Sequence, residues 1–373
     1  SATARHGDVE NLEYTNDRGI GITVYSDSRK GNASTSDISP EAIREAVSKA
    51  CAFAEFTASD KYSGLAEAAL MCTDIPDLDL DHPWNIEAAD AIDIAIETEA
   101  AALGFDKRIS NSEGATVSTS RGSRAYGNSH GFVGSATRTS HSISCVVLAE
   151  ADGAMQRDYQ YTSARDPGEL ENPADIGQSA ACRVINRLGA RKLKTRRAPV
   201  LYVPELARGF IAHAIGAISG GAQYRRSSFL LDAAGEKIFP DFLSIQERPH
   251  LKKAMASTAY DAEGVATYDR EIVTDGVLLE YVLSSYSARR LGLSTTANAG
   301  GAQNLIIPGG AGQDQASLIR EMGTGFLVQE LIGQGVNGVT GDYSRGAVGQ
   351  WIENGEVQYP VHEVTIAGNL REL

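Results

Sequence analysis

The chain has 373 residues, 42% of them hydrophobic, and a net charge of −14, which is typical of a globular protein with more than one core. The excess of acidic groups repels phosphate backbones and argues against nucleic acid as a partner. No apolar run approaches the roughly 20 residues that a membrane helix needs, and no signal peptide opens the chain, so we expect a cytoplasmic protein without membrane contacts.

The first unit, residues 1–65, is predicted to contain two strands and a helix. Alternating stretches at residues 9–14 and 20–25 each predict a strand, and the residues between them predict a turn. Ser39-Pro40-Glu41 then supplies a capping hydroxyl, a proline for the first helical position and an acid in the first turn. The helix is predicted to run to about Phe56. Three- and four-residue spacing predicts that it buries Ile43, Val47, Cys51 and Ala54.

The second unit, residues 66–198, is predicted to hold a long connector, a helix over residues 86–103, an antiparallel meander and a helix over residues 173–188. The meander is predicted over residues 108–161, where apolar and polar residues alternate. Glycine-containing turn signals divide it into four or five short strands, and two of these signals are Glu113-Gly114 and Arg121-Gly122.

One segment of the meander, Gly127-Asn128-Ser129-His130-Gly131, matches the G-x-S-x-G pattern of serine hydrolases. That pattern creates a nucleophile only between a strand and a helix, where the serine is raised beside an oxyanion hole. The residues that follow, 132–147, alternate as a strand does and supply no such helix. A hairpin turn is therefore favoured over a catalytic serine.

The third unit, residues 199–373, is predicted to be strand-rich. A strand at residues 200–203 leads directly into an apolar helix over residues 205–219. Further strands are predicted at residues 264–273, 277–285, 305–308, 346–353 and 356–359, and a short helix at residues 317–322. Asn354-Gly355 predicts a tight hairpin between the last two strands. The whole pattern predicts an α+β fold, with strand-rich antiparallel sheets and flanking helices.

Many strings along the chain resemble the TldD/PmbA metalloprotease family, and more closely its PmbA/TldE branch, the non-metal subunit, than its TldD branch. The resemblance spans the whole chain, so it implies TldD/PmbA-like N-terminal and C-terminal domains. The strings include Lys107-Arg108-Ile109-Ser110-Asn111-Ser112-Glu113-Gly114, Tyr126-Gly127-Asn128-Ser129-His130-Gly131, Tyr224-Arg225-Arg226-Ser227-Ser228-Phe229-Leu230-Leu231-Asp232 and Gly341-Asp342-Tyr343-Ser344-Arg345-Gly346-Ala347.

The resemblance also aligns the apolar helix with the metal-binding helix of this family, where the catalytic TldD subunit carries His-Glu-x-x-x-His. Here the two ligand positions are Ala212 and Ala217, and the general-base position is His213. Alanine has no lone pair to give a metal ion, so no catalytic or metal-ligating residue carries over to this chain. His213 lies on an apolar helix face, which favours a buried core histidine. The alternative is that it lines a remnant pocket and hydrogen-bonds a peptide carbonyl or a partner residue.

The resemblance implies a non-catalytic subunit that forms a heterodimer with a TldD-like subunit, which brings the zinc. It also implies that unfolded peptides, such as microcin precursors and antitoxins, are the substrates. An older description of the family is modulator of DNA gyrase. Arg225, Arg226, Tyr343 and Arg345 are the residues expected to line a peptide channel or the subunit interface, and the alternative is that they only pack at the surface or at the edge of the core. A homodimer of the chain alone is a further alternative that the sequence leaves open.

Two other functions remain open from the sequence alone. One is a self-sufficient metallohydrolase whose ligands come from distant segments, and the other is a non-enzymatic protein that binds peptides or acts as a scaffold. Proteins of the TldD/PmbA type continue at both ends, so we expect the sequence to be a piece of a longer chain.

Overall fold

The computed structural model describes residues 1–309 and 312–372 and has an α+β fold with antiparallel sheets, as predicted. The strands are β1 (Ala2–Arg5), β2 (Asp8–Leu12), β3 (Ile20–Ser26), β4 (Arg29–Thr35), β5 (Ile109–Gly127), β6 (Val133–Ala151), β7 (Ala154–Ala164), β8 (Val200–Tyr202), β9 (Ile245–Glu247), β10 (Arg270–Thr274), β11 (Val277–Leu278), β12 (Leu305–Ile306), β13 (Gly325–Ile332), β14 (Asp342–Glu353) and β15 (Glu356–Asn369). The helices are α1 (Pro40–Phe56), α2 (Ala88–Leu103), α3 (Pro173–Ile185), α4 (Pro204–Ala217), α5 (Gly220–Tyr224), α6 (Ser285–Leu291) and α7 (Gln315–Met322).

The largest sheet has five strands in the order β2-β1-β5-β6-β7, and helices α2 and α3 pack against it. The meander was predicted as four or five short strands, and this was wrong, because β5 and β6 each run for 19 residues. Gly114 and Gly122 lie inside β5. The register shifts at Gly114, whose φ is 99°, so this glycine forms a bulge and not a turn. The turn at residues 128–132 is confirmed as the β5–β6 connection.

The first hairpin, β3–β4, carries α1 on one face. The two strands predicted at residues 9–14 and 20–25 correspond to β2 and β3, which do not pair with each other, because β2 joins β1 in the large sheet while β3 pairs with β4. The buried face of α1 also differs from the prediction: it consists of Ala46, Ala50 and Ala54, while Val47 and Cys51 are exposed. A Cβ on Gly31 of β4 would lie 2.0 Å from the carbonyl oxygen of Ala50. The helix backbone lies directly on the hairpin, and only small side chains fit between them.

The C-terminal part contains two four-stranded sheets, with the orders β11-β10-β9-β12 and β15-β14-β13-β8. The Asn354-Gly355 hairpin is confirmed, and β14 and β15 are longer than predicted. Strand β13 was not predicted, because it is apolar without alternation and pairs in parallel with β8. Of the strand predicted at residues 277–285, the structure has a strand at Val277–Leu278. Ser284 instead caps α6, which begins at Ser285.

Whether the chain divides at residues 65 and 198 stays a prediction, although β1 and β2 lie in the same sheet as β5. Contacts between the middle and C-terminal segments are polar as well as apolar. Arg187, just beyond α3, is ion-paired with Asp158 at 2.6 Å and with Glu330 of β13. In the part of the chain that the structure describes, no helix has the length and apolar character to cross a bilayer.

Candidate functional site

Helix α4 begins directly after β8, because Pro204 occupies the first helical position and its fixed φ suits a helix start. Glu205 follows in the first turn, where a negative charge interacts favourably with the helix dipole. The helix ends at Ala217, and the hydroxyl of Ser219 then accepts a hydrogen bond from the amide of Ala222 at the start of α5. The predicted helix is confirmed to within two residues at its end.

The three residues of α4 that were singled out from the sequence differ in their exposure to solvent. Ala212 is exposed, His213 is half-buried and Ala217 is buried. Five residues of helix rotate a side chain by about 140°, so Ala212 and Ala217 lie on different faces, whereas His213 and Ala217 share one. Neither alanine presents an atom that could bind an ion. Of these three side chains, that of His213 is therefore the one with atoms that can donate or accept a hydrogen bond.

His213 lies within an aromatic cluster that three segments build. The ring of Tyr343, on β14, stands edge-on to His213 with 6.4 Å between centroids. Phe210, one turn earlier on α4, stacks on Tyr343 at 5.4 Å. Tyr202, on β8, meets Phe210 edge-on at 4.6 Å. The apolar surroundings expected for His213 are confirmed, although they are aromatic and come largely from distant strands.

The same cluster contains buried polar atoms that interact only with one another. The hydroxyls of Tyr202 and Tyr343 and the guanidinium of Arg345 act on one another, but within residues 1–309 and 312–372 the two hydroxyls and the Nε of Arg345 have no partner in well-formed hydrogen-bond geometry. Burial raises the pKa of both phenols. Burial, and then the guanidinium of Arg345, lower the pKa of His213. The imidazole is therefore neutral near pH 7, and it is a hydrogen-bonding group, not a cation.

Of the four arginine and tyrosine positions singled out from the sequence, the structure brings two to His213 and places two elsewhere. Tyr343 and Arg345 both lie on β14 beside α4, whereas Arg225 and Arg226 follow α5 and are exposed. Arg225 lies over the ring of Tyr224 and donates to its hydroxyl at 3.1 Å. Arg226 is ion-paired with Asp232 at 3.3 Å. Tyr202 was missed, because nothing in the sequence indicates that β8 pairs in parallel with β13.

A large cavity of about 850 Å³ lies between the β3–β4 hairpin, the connector after α1, and α6. Its polar lining includes Lys30, Asp60, Lys61, Tyr286 and Arg290. The hydroxyl of Tyr286 donates to Asp60 at 2.7 Å, which joins α6 to the connector. Arg290 also lies over the ring of Tyr224 at 5.1 Å, the same ring that Arg225 contacts.

Three family profiles together match most of the chain. They describe PmbA/TldA metallopeptidase domain 1 over residues 1–54, the central domain over residues 81–188, and the C-terminal domain over residues 195–373. The chain belongs to the PmbA/TldD metallopeptidase family. Among PmbA/TldD family members, it is 49% identical to the metalloprotease PmbA of Escherichia coli O157:H7 and 48% identical to the PmbA homolog of Haemophilus influenzae. Each alignment covers 100% of this chain and 83% of the relative.

Solved structures of PmbA/TldD type share this fold. A protein from Bacteroides thetaiotaomicron that carries the name modulator of DNA gyrase superposes with a TM-score of 0.94 at 29% identity, over 100% of this chain and 84% of its own. TldE from Thermococcus kodakarensis superposes with a TM-score of 0.85 at 21% identity, over 100% of this chain and 86% of its own. The second likeness concerns the fold alone.

The PmbA/TldD family name implies a metal ion, but the residues around α4 of this chain do not fit one. The two register alanines offer no donor atom, and the charged side chain that acts on His213 is the guanidinium of Arg345, which repels a cation. Among the described residues, no three His, Cys, Asp or Glu side chains are grouped to share an ion. Zinc sites in proteins use three or four such donors. No hydrolytic step through a metal is therefore derived for these residues.

Proposed function

We propose that this chain is the non-metal subunit of a TldD-type zinc metalloprotease and that it holds peptide substrates and supports a metal-bearing partner. The observation that carries the proposal is a contrast within one helix. The chain belongs to a metallopeptidase family, yet α4 has alanine at both register positions and an arginine close to His213. Cleavage needs a water activated by a metal and a base, so both must come from another subunit.

The proposed partner is a TldD-like subunit with an intact His-Glu-x-x-x-His helix, which binds the zinc and forms a heterodimer with this chain. The proposed substrates are unfolded peptides, such as microcin precursors and antitoxins, and the proposed compartment is the cytoplasm. A relative from Saccharolobus solfataricus named zinc metalloprotease TldD homolog is 26% identical over 62% of this chain, which supports a common origin of the two subunit types. When the partner is absent, we propose that the chain homodimerises.

Peptide holding is proposed to use exposed strand edges. β15 is 14 residues long, and among the described residues β14 is the one strand of its sheet that pairs with it. The other side of β15 meets Arg191 at an isolated bridge, through Val361. An extended peptide adds to such an edge through backbone hydrogen bonds, which do not depend on side-chain sequence. That property suits substrates of varied sequence. In this proposal Arg225, Arg226, Tyr343 and Arg345 line the peptide channel or the subunit interface.

The test is to purify the full-length chain and a TldD-like homologue separately and together, and to measure zinc content and cleavage of an unstructured peptide. We expect about one zinc per heterodimer, bound by the homologue, and cleavage only when both subunits are present. Changing the motif glutamate of the homologue to glutamine is the matched control, because it removes the base and leaves the metal ligands.

Two outcomes would reject the proposal. Stoichiometric zinc in this chain alone, with peptide cleavage lost on chelation, would make it a self-sufficient metallohydrolase. Failure to associate with any metal-bearing homologue, together with peptide binding but no cleavage, would make it a binding or scaffold protein.

A further inference from the structure

A second concave site, which contains no residue of α4, lies between the β5–β6 hairpin and two loops of the C-terminal part. The cavity has a volume of about 510 Å³, which is within the range of small-ligand sites. Its lining includes Arg124 and Arg138 from the hairpin, Tyr260 and Asp261 from one loop, and Gly300 and Gly301 from the other. Neither arginine was singled out from the sequence.

The two arginines lie on the same face of the hairpin. Arg124 pairs with Ala136, and Gly122 pairs with Arg138, so the two guanidinium side chains are diagonal neighbours across antiparallel strands. Diagonal neighbours are about 7–8 Å apart, within reach of long side chains. Two positive charges at that spacing repel each other unless an anion lies between them.

Within residues 1–309 and 312–372, neither arginine forms an ion pair. The groups besides burial that act on the pKa of Arg138 are Tyr260 and Arg124. Burial comes first and lowers the pKa of Arg138. Arg121, which lies on β5 and on the opposite face of the hairpin from Arg138, is in contrast ion-paired with Asp81 at 2.6 Å. Arg124 is exposed, but Arg138 is half-buried, and partial burial of a guanidinium without a counter-charge is unfavourable. A negatively charged ligand would therefore stabilise this site.

The one carboxylate in the cavity lining is already engaged. Asp261 accepts hydrogen bonds from the backbone amides of Glu263 at 2.8 Å, Val265 at 3.1 Å and Ala299 at 2.9 Å. Burial raises its pKa to about 6 in spite of these bonds. Its oxygens therefore point to the loop backbone, and it is a poor counter-ion for the arginines.

The remaining walls suit an extended chain. Tyr260 packs edge-on against Phe132 at 5.0 Å, which fixes its ring at the cavity wall. Gly301 has a φ of 117°, which favours glycine, and no atom lies within 4 Å of the position that a Cβ would take. Open space above a backbone without side chains allows another backbone to approach closely.

We propose that this cavity binds a carboxylate of the peptide substrate between the guanidinium groups of Arg124 and Arg138. The inference rests on the proposed function, because it assumes a peptide ligand. Guanidinium groups match carboxylates with paired hydrogen bonds, and such charge-assisted bonds are the strong ones. The carboxylate comes from an acidic side chain or from the C-terminus of the peptide. The site therefore makes an acidic group a determinant of how the substrate is positioned.

The test measures binding of three fluorescent peptides to the full-length chain by anisotropy. The first has two glutamates and an amidated C-terminus, the second has glutamines and a free C-terminus, and the third has glutamines and an amidated C-terminus. We expect the first or the second to bind about 10- to 100-fold more tightly than the third, and which one does so identifies the source of the carboxylate. Arg138→Gln should remove this difference, and Arg138→Lys should retain part of it.

Arg121→Gln is the matched control, with the same charge change on the opposite face of the same hairpin, and it should keep the preference. Thermal melting separates binding from folding. Because Arg138 has no partner to lose, Arg138→Gln should melt no lower than the unchanged chain. Equal binding of all three peptides, equal effects of Arg138→Gln and Arg121→Gln, or tighter binding of a single-stranded oligonucleotide would each overturn the proposal. No step of this test needs a protease partner, so its outcome is independent of the subunit assignment.

Discussion

The imidazole of His213 stands edge-on to the phenol ring of Tyr343, with 6.4 Å between the ring centroids and 76° between their planes. These residues are far apart in sequence, and α4 and β14 bring them together. The contact places the half-buried histidine in an aromatic wall, with Arg345 as the nearby charge that acts on its pKa. The half-buried imidazole of His213 is therefore a neutral ring near pH 7.

The His213 contact predicts a pH dependence of stability. Burial and Arg345 lower the pKa of His213 below its usual 6.5, so the folded chain binds fewer protons there than the unfolded chain. Stability from this residue is therefore present above pH 6.5 and is lost as the pH falls through and below that value. Urea unfolding at pH 8 and pH 5.5 should show His213→Gln losing less stability on acidification than the unchanged chain. Parallel pH profiles would contradict this.

The hydroxyl of Tyr343 makes no well-formed hydrogen bond among the described residues, although the hydroxyl of Tyr202 and the guanidinium of Arg345 interact with it. Its removal should therefore cost little, and Tyr343→Phe should change the free energy of unfolding by less than about 0.5 kcal/mol. Tyr286→Phe is the control, because its hydroxyl bonds Asp60 at 2.7 Å, and it should lose about 1 kcal/mol. Chemical unfolding of both variants measures the contrast. A larger loss for Tyr343→Phe would mean that its hydroxyl has a partner.

The ion pair of Arg270 with Glu247 is expected to be essential for stability. Their atoms are 2.6 Å apart, and the side chains are 4% and 1% exposed. Arg270→Gln would leave a buried carboxylate without its counter-charge, so we expect a loss of about 3–5 kcal/mol. Arg226→Gln breaks the exposed pair with Asp232 and should change stability by less than about 1 kcal/mol. Similar losses for the two variants would show that burial of the first pair has no energetic consequence.

The contact between α3 and α2 predicts a strong effect at one glycine. A Cβ on Gly177 would lie 2.1 Å from the carbonyl oxygen of Thr98, so Gly177→Ala should force the helices apart at a cost of about 1–3 kcal/mol. Gly216, within α4, has no atom within 4 Å of its Cβ position, so Gly216→Ala should instead stabilise the chain by about 0.5–1 kcal/mol. Melting temperatures of the two variants should shift in opposite directions.

Features that depend on neighbouring residues could be predicted from the sequence. The start of α1 follows from Ser39 and Pro40, and the hairpin before β15 follows from Asn354-Gly355, because capping and turn chemistry act over a few residues. The G-x-S-x-G segment was correctly interpreted as a turn, because the strand that follows it alternates. The alanines at positions 212 and 217 are sequence facts, and tertiary structure cannot supply the donor atoms that they lack.

Features that depend on distant contacts could not be predicted. The buried face of α1 consists of alanines because Gly31 brings β4 against the helix backbone, and spacing alone favoured Val47 and Cys51. Tyr202 and Tyr343 reach α4 only because β8, β13 and β14 are neighbours in one sheet. The lack of a partner for Arg138 is likewise invisible in a sequence with 48 acidic residues. The atoms that a side chain can present to a metal ion are a property of that residue alone. Its burial, its pKa and whether it has a counter-charge depend on the groups that the fold brings around it.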